Sequence, residues 1–102
     1  MDARFFVGQI VAHNRFGYRG VVAGVDPCFS LSEEWYEEVA RSRPPKDQPW
    51  YHVLVDGAMH TTYVAERHLD ASEDASQIDH PLLGAHFDRF DGQRYYATAR
   101  PH

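Results

Sequence analysis

Two glycine-punctuated runs of β-type residues constrain this chain more than any other feature. They are Phe16-Gly-Tyr-Arg-Gly-Val-Val-Ala-Gly-Val-Asp-Pro27, and Trp50-Tyr-His-Val-Leu-Val-Asp-Gly57 leading to Thr61-Thr-Tyr-Val-Ala-Glu66. Branched and aromatic side chains favour a pleated, half-buried surface. Glycines among them mark turns, bends and bulges. Together the runs specify a small twisted sheet with short connections.

The rest of the chain is read around them. Phe5–His13 is expected to open as a strand, with Val7, Gln9, Val11 and His13 on one face and Phe6, Ile10 and Ala12 on the other. Asn14-Arg-Phe-Gly17 is a turn. Tyr18–Val25 returns as a second strand, with Gly20 and Gly24 suggesting a bulge or bend, and Asp26-Pro27 stops it. A helix follows. Ser30-Leu-Ser-Glu33 resembles a capping box with Ser32 as a competing cap, and Leu31, Trp35 and Val39 form one apolar stripe. Pro44-Pro45 ends the helix, and residues 43–49 are expected to be an exposed loop.

Trp50–Val55 is the strongest strand, Asp56-Gly57 a hairpin turn, and Met59–Ala65 the partner strand. Tyr51, Val53 and Val55 alternate with Trp50, His52 and Leu54, so one set should face outward. Glu66–Leu69 reads as a helical turn and Asp70–Gln77 as a polar loop. A short helix is expected from near Pro81, within residues 78–87, and Gln93–Ala97 as a last strand. There is no internal repeat, and residues 1–102 read as one unit with its core at about 5–95.

The chain has 102 residues, a net charge of −5, and a 14% aromatic share that suits a β core or a contact surface. No run approaches the ~18 apolar residues of a membrane span. The stretch Met1-Asp-Ala-Arg-Phe-Phe-Val does not read as a secretory signal. The single cysteine, Cys28, allows no internal disulfide, so a cytoplasmic location is expected. The negative charge weighs against a protein built mainly to hold phosphates. Bases are relatively concentrated in residues 1–46, which places any anion-facing surface on that half.

Catalytic and metal chemistry find little support. The histidines are His13, His52, His60, His68, His80, His86 and His102, and no two have the helical spacing of a zinc site; His52 and His60 could at best face each other across the hairpin. No serine sits in a nucleophile elbow. Cys28 has no adjacent base to lower its pKa and reads as a small packed residue. The pairs Glu33-Glu34 and Glu37-Glu38 read as a solvated helix face, and the glycine spacing matches neither a dinucleotide fingerprint nor a P-loop. No catalytic residue, metal or cofactor is expected.

Several ordered blocks carry a family resemblance: Val7-Gly-Gln-Ile-Val-Ala-His13, Phe16-Gly-Tyr-Arg-Gly-Val-Val22, Asp26-Pro27, Trp35-Tyr36, Pro49-Trp-Tyr-His-Val-Leu-Val55, Tyr63-Val-Ala-Glu66 and His80-Pro81. They resemble the YccV/HspQ family of small heat-shock-type proteins, whose domain is also described as hemimethylated-DNA-binding. The resemblance implies a mainly β, SH3-like barrel with one short helix inserted between strands and a short C-terminal helix or turn. It further implies no enzymatic activity, self-association as a homo-oligomer, and one of two partners: hemimethylated DNA, or an ATP-dependent protease of the Lon type and its clients. In this chain the connection at Asp56-Gly57 is tight, where several members of that family carry a longer acidic insertion.

The candidate residues follow from those two partners. For DNA they are Arg15 and Arg19 flanking the first turn, Phe16 and Tyr18 as rings to stack or wedge, and Arg41, Arg43 and Lys46. Five phosphate-contacting bases would give a salt slope of about −4.5. The glutamates at 33, 34, 37 and 38 would oppose the last three. For a protein segment the candidates are Tyr36, Trp50, Tyr51, His52 and Tyr63, presented as an aromatic groove or beside an exposed sheet edge. An adaptor or regulator of proteolysis is the first expectation, DNA binding the second and a structural homo-oligomer the third.

Overall fold

The computed structural model describes residues 2–98; Arg100 and His102 lie outside the described residues. The strands β1 (Ile10–His13), β2 (Arg19–Asp26), β3 (Trp50–Val55), β4 (Thr61–Ala65) and β5 (Leu69–Ala71) form one antiparallel sheet in the order β4-β3-β2-β1-β5. Helix α1 (Glu33–Val39) lies between β2 and β3, and a 3₁₀ turn at Glu66–His68 links β4 to β5. Helix α2 (Leu83–His86) leads into a separate hairpin of β6 (Phe87–Phe90) and β7 (Tyr95–Ala97).

The mainly β architecture, the inserted helix and the short C-terminal helix are as expected. The sheet, however, does not close into a barrel. Its edges are β4 and β5, which the 3₁₀ turn joins end to end rather than side by side.

Both faces of the sheet are buried. Val11, Val22, Tyr51, Val53, Val64 and Leu69 cluster with Phe5 on one face. Ile10, Val21 and Leu54, on the other, are covered by Ile78, Phe87 and Tyr95 from the C-terminal segment. The remainder of that second face, at Trp50 and Ala65, is covered by Tyr36 and Ala40 of the α1 region. Hence β3 has no outward set: of its six residues only His52 is not buried.

Two glycines are required by close approach. A Cβ on Gly20 would lie 2.6 Å from the Leu54 carbonyl oxygen, so β2 and β3 can cross here only without a side chain. Gly8 has φ +96° and a Cβ there would lie 2.0 Å from the Tyr95 carbonyl oxygen. Gly8 donates to the Val22 carbonyl at 2.8 Å and accepts from the Tyr95 amide at 2.9 Å, tying the C-terminal hairpin to the sheet. The chain therefore turns at Gly8, and the opening strand begins only at Ile10. The bulge expected in β2 is present, as a register shift between Val22 and Gly24.

Elsewhere the sequence reading needs correction. The supposed loop 70–77 begins with β5, whose residues pair with Val11, Ala12 and His13. Phe87, expected in a helix, starts β6. The partner strand begins at Thr61, leaving Met59 84% exposed. Cys28 is exposed rather than packed, because the chain leaves β2 at Pro27 and buries part of Phe29 instead. Among the described residues no helix is long and apolar enough to cross a membrane.

Candidate functional site

A groove of about 650 Å³ runs along β4, lined by every residue of that strand. One wall is α1. Ser32 caps it, its Oγ accepting from the Trp35 amide at 3.1 Å, and the Glu33 and Glu34 carboxylates sit at the positive end of the helix. Tyr36 is the buried face of α1, with its hydroxyl donating to the Pro44 carbonyl at 2.7 Å. Of the stripe, Leu31 and Val39 are exposed and face the groove, while Trp35 lines the groove and also packs edge-on against Trp50 and Tyr63 at 6.1 and 5.6 Å.

The opposite wall is the β1–β2 turn. His13, at its base, accepts from the amides of Arg15 and Phe16 through Nδ1, both at 3.1 Å. Its ring stacks on Phe16 at 4.6 Å and on His68 at 5.6 Å. An imidazole that accepts through Nδ1 is neutral. Burial first, then His68 and Arg15, hold the His13 pKa below its ordinary value. Tyr18 completes the wall, its hydroxyl 2.9 Å from Thr62 Oγ1, and burial raises its pKa.

Between the walls, Tyr63 is fixed from several sides. Its ring stacks on Trp50 at 5.1 Å and its hydroxyl donates to Asp26 Oδ2 at 2.7 Å. That carboxylate also lies 3.1 Å from His52 Nε2. Burial and the Asp26 hydrogen bond push the Tyr63 phenol up to about 12, so it remains a donor at neutral pH.

These positions divide the sequence candidates. Of the aromatic group, Tyr63 and His52 reach the groove while only partly buried. Trp50 touches it from beneath at 1% exposure, with its indole N–H held by the Pro45 carbonyl at 3.0 Å. Tyr51 is fully buried on the opposite face, bound to Glu66 Oε2 at 2.6 Å and to the Phe5 amide at 3.2 Å. Burial, with the Glu66 hydrogen bond next, pushes its phenol up to about 12. Tyr36 and Tyr51 are structural and do not present a binding surface.

Of the basic group, Arg19 is a latch rather than a surface contact. Its guanidinium donates to Asp56 Oδ2 at 3.0 Å and to the Asp74 and Ser76 carbonyls at 2.9 and 3.0 Å. Arg43 pairs with Glu37 at 2.8 Å, and Lys46 with both oxygens of Glu33 at 2.6 and 2.7 Å. Glu37 and Glu33 thus neutralise two of the three bases that follow the helix. Arg15, Phe16 and Arg41 remain: Phe16 is 74% exposed, and neither arginine makes an ion pair among the described residues.

The sequence reading missed the groove's setting. Leu31 and Val39 were legible as a stripe, but not which way it faces. His13 and His68 come together only because β5 pairs with β1. His52 lies opposite Tyr63, not His60. Among the described residues no cluster of three histidine, cysteine or carboxylate side chains could hold a metal ion.

Comparison with known proteins gives the chain its relatives. Residues 3–94 match the family described as hemimethylated DNA-binding protein YccV like. F-box only protein 21 of Homo sapiens and of Pongo abelii are each 34% identical over 101 residues, and that of Mus musculus 33%. The matched segment covers 96% of this chain but only 16% of each of those proteins. With nearly its whole length matched by the family, this chain belongs to the YccV-like family of hemimethylated DNA-binding-type domains.

Proposed function

We propose that this YccV-like domain is a non-enzymatic, cytoplasmic recognition module that holds a segment of a protein partner. An adaptor or regulator of ATP-dependent proteolysis would use it in this way. The observation that carries this reading is the groove along β4, where the exposed Leu31 just before α1 and Val39 at its end face Phe16 and Tyr18 across an open strand edge. Such a surface suits a peptide entering between rings or adding to the sheet. Relatives in which the same segment is 16% of a longer protein support a module that serves a larger assembly. The test is binding of the full chain to an immobilised candidate protease and its clients. Capture that the double variant Leu31→Gln, Val39→Gln weakens tenfold or more, with the melting temperature held, supports the reading; capture indifferent to these two exposed residues counts against it.

A second reading, recognition of hemimethylated DNA, is favoured by the family description and by Arg15 and Phe16 standing exposed on one turn. Charge argues against its being the main role. With Arg19, Arg43 and Lys46 already facing carboxylates, two of the five candidate phosphate contacts remain, for a salt slope of about −1.8 from these. Fluorescence anisotropy with matched unmethylated, hemimethylated and fully methylated duplexes at two salt concentrations separates the readings. Selective, salt-sensitive binding of the hemimethylated duplex would put DNA first.

A further inference from the structure

The groove's charge is unlike that of the molecule around it. The chain carries 15 acidic residues and a net charge of −5, yet no aspartate or glutamate lines the groove. Arg15 and Arg41 do, and they carry its charge; the histidines that also line it, His13, His52 and His68, include His13, which is neutral. Of the acids nearest it, Glu33 and Glu37 pair with Lys46 and Arg43, Asp26 is engaged by the groove residues Tyr63 and His52, and Glu38 shares an adjoining hollow with Arg41 and Arg43.

The strand along the groove is also unusual for an edge. Exposed edges are normally guarded by charge, proline, bulges or brevity. The opposite edge, β5, has three residues including Asp70. In contrast β4 is Thr-Thr-Tyr-Val-Ala, uncharged and without a register shift against β3. The Glu66 amide donates to the Pro49 carbonyl at 3.0 Å, which sets the alternation. Val64 and Thr62 therefore turn their backbone groups to β3, and Thr61 and Tyr63 turn theirs outward.

Resting on the protein-partner reading above, we infer that the groove takes an acidic, extended peptide as an added strand on the open edge of β4. Its main chain pairs with the outward groups of Thr61 and Tyr63. Its alternate side chains fall to opposite walls, as in any strand. One set meets Leu31, Trp35 and Val39, the other Phe16 and Tyr18. Its carboxylates face Arg41 on the first side and Arg15 on the second. The walls fix which side chains fit, and the arginines fix their charge.

The test uses fluorescein-labelled, end-blocked peptides and the full chain. The probes are D-E-F-V-F-D-E, its lysine counterpart K-K-F-V-F-K-K, and the acidic peptide N-methylated at alternate residues. The acidic peptide should bind about tenfold or more tightly than the lysine peptide, a preference lost in the double variant Arg15→Gln, Arg41→Gln. N-methylation should weaken it about tenfold for each main-chain hydrogen bond removed. Both arginines lie on the surface, so the double variant should keep its melting temperature. Equal binding of the acidic and lysine peptides, still dependent on Leu31 and Val39, would overturn this inference and leave the protein-partner reading standing. So would insensitivity to N-methylation. Failure of all three peptides, with the hemimethylated duplex bound instead, would overturn both. Pairing of β4 edges between two copies, seen as a dimer in sedimentation that the acidic peptide cannot dissociate, would overturn it as well.

Discussion

His13 aims Phe16. The imidazole accepts the Phe16 amide through Nδ1 at 3.1 Å and stacks under its ring at 4.6 Å, so the most exposed aromatic of the groove is held from below by one neutral histidine. A single buried residue of β1 thus connects sheet, turn and groove wall.

Because burial lowers the pKa of both His13 and His68, the unfolded chain binds protons in a range where the folded chain does not. Stability contributed by these groups is complete above the ordinary histidine pKa of about 6.5 and falls as pH drops through the lowered folded values. Thermal melts between pH 8 and pH 5 should show a decreasing melting temperature. His13→Gln should flatten that dependence; an unchanged slope would remove His13 from the account.

Arg19→Ala should act on stability and leave nucleic-acid binding alone. The Arg19 side chain is only 17% exposed, and its guanidinium bridges Asp56 to the carbonyls of Asp74 and Ser76. Removing it returns those exposed acceptors to water and loses the tie between the two segments, at a cost of about 0.5–1.5 kcal/mol. Limited proteolysis should then cut within residues 72–77 sooner than in the parent protein. A fall in duplex affinity at unchanged stability would restore Arg19 to a DNA-contact role.

Gly20→Ala should destabilise by about 1–3 kcal/mol in urea unfolding, since the new methyl meets the Leu54 carbonyl and the Val53 side chain. Gly84→Ala in α2 meets nothing within 4 Å and serves as the control. Alanine there should be neutral or stabilising by up to about 1 kcal/mol.

The two groove walls should respond differently to truncation. Phe16→Ala removes an exposed ring, so partner capture should fall while the melting temperature stays within a degree or two. Ser32→Ala removes the cap of α1 and should cost about 1 kcal/mol, with capture weakened only through loosening of that wall. Isothermal titration paired with thermal melts separates these outcomes.

The sheet's centre was legible because its signals are local. Trp50–Val55 has the residue types of a strand from end to end, and Asp56-Gly57 and the Glu66–His68 turn are punctuated by their own residues. β5 was hidden because three residues, one of them Asp70, show no alternation. β6 was hidden by a charged centre, although Asp91-Gly92 after Phe90 was an available hairpin signal. The candidate site was less legible than the fold. Its aromatics could be named, but whether Tyr51 or Tyr63 reaches the surface depends on which sheet face is covered by distant chain. Phe5 and Glu66 enclose Tyr51, and no local pattern carries that information.

Amide hydrogen exchange during titration with D-E-F-V-F-D-E tests the central claim most directly. The account predicts new protection at Thr61 and Tyr63, whose amides point out from β4, with the amides of β5 unchanged. Unaltered exchange at both positions, alongside protection of the Arg15–Phe16 turn by a hemimethylated duplex, would contradict it.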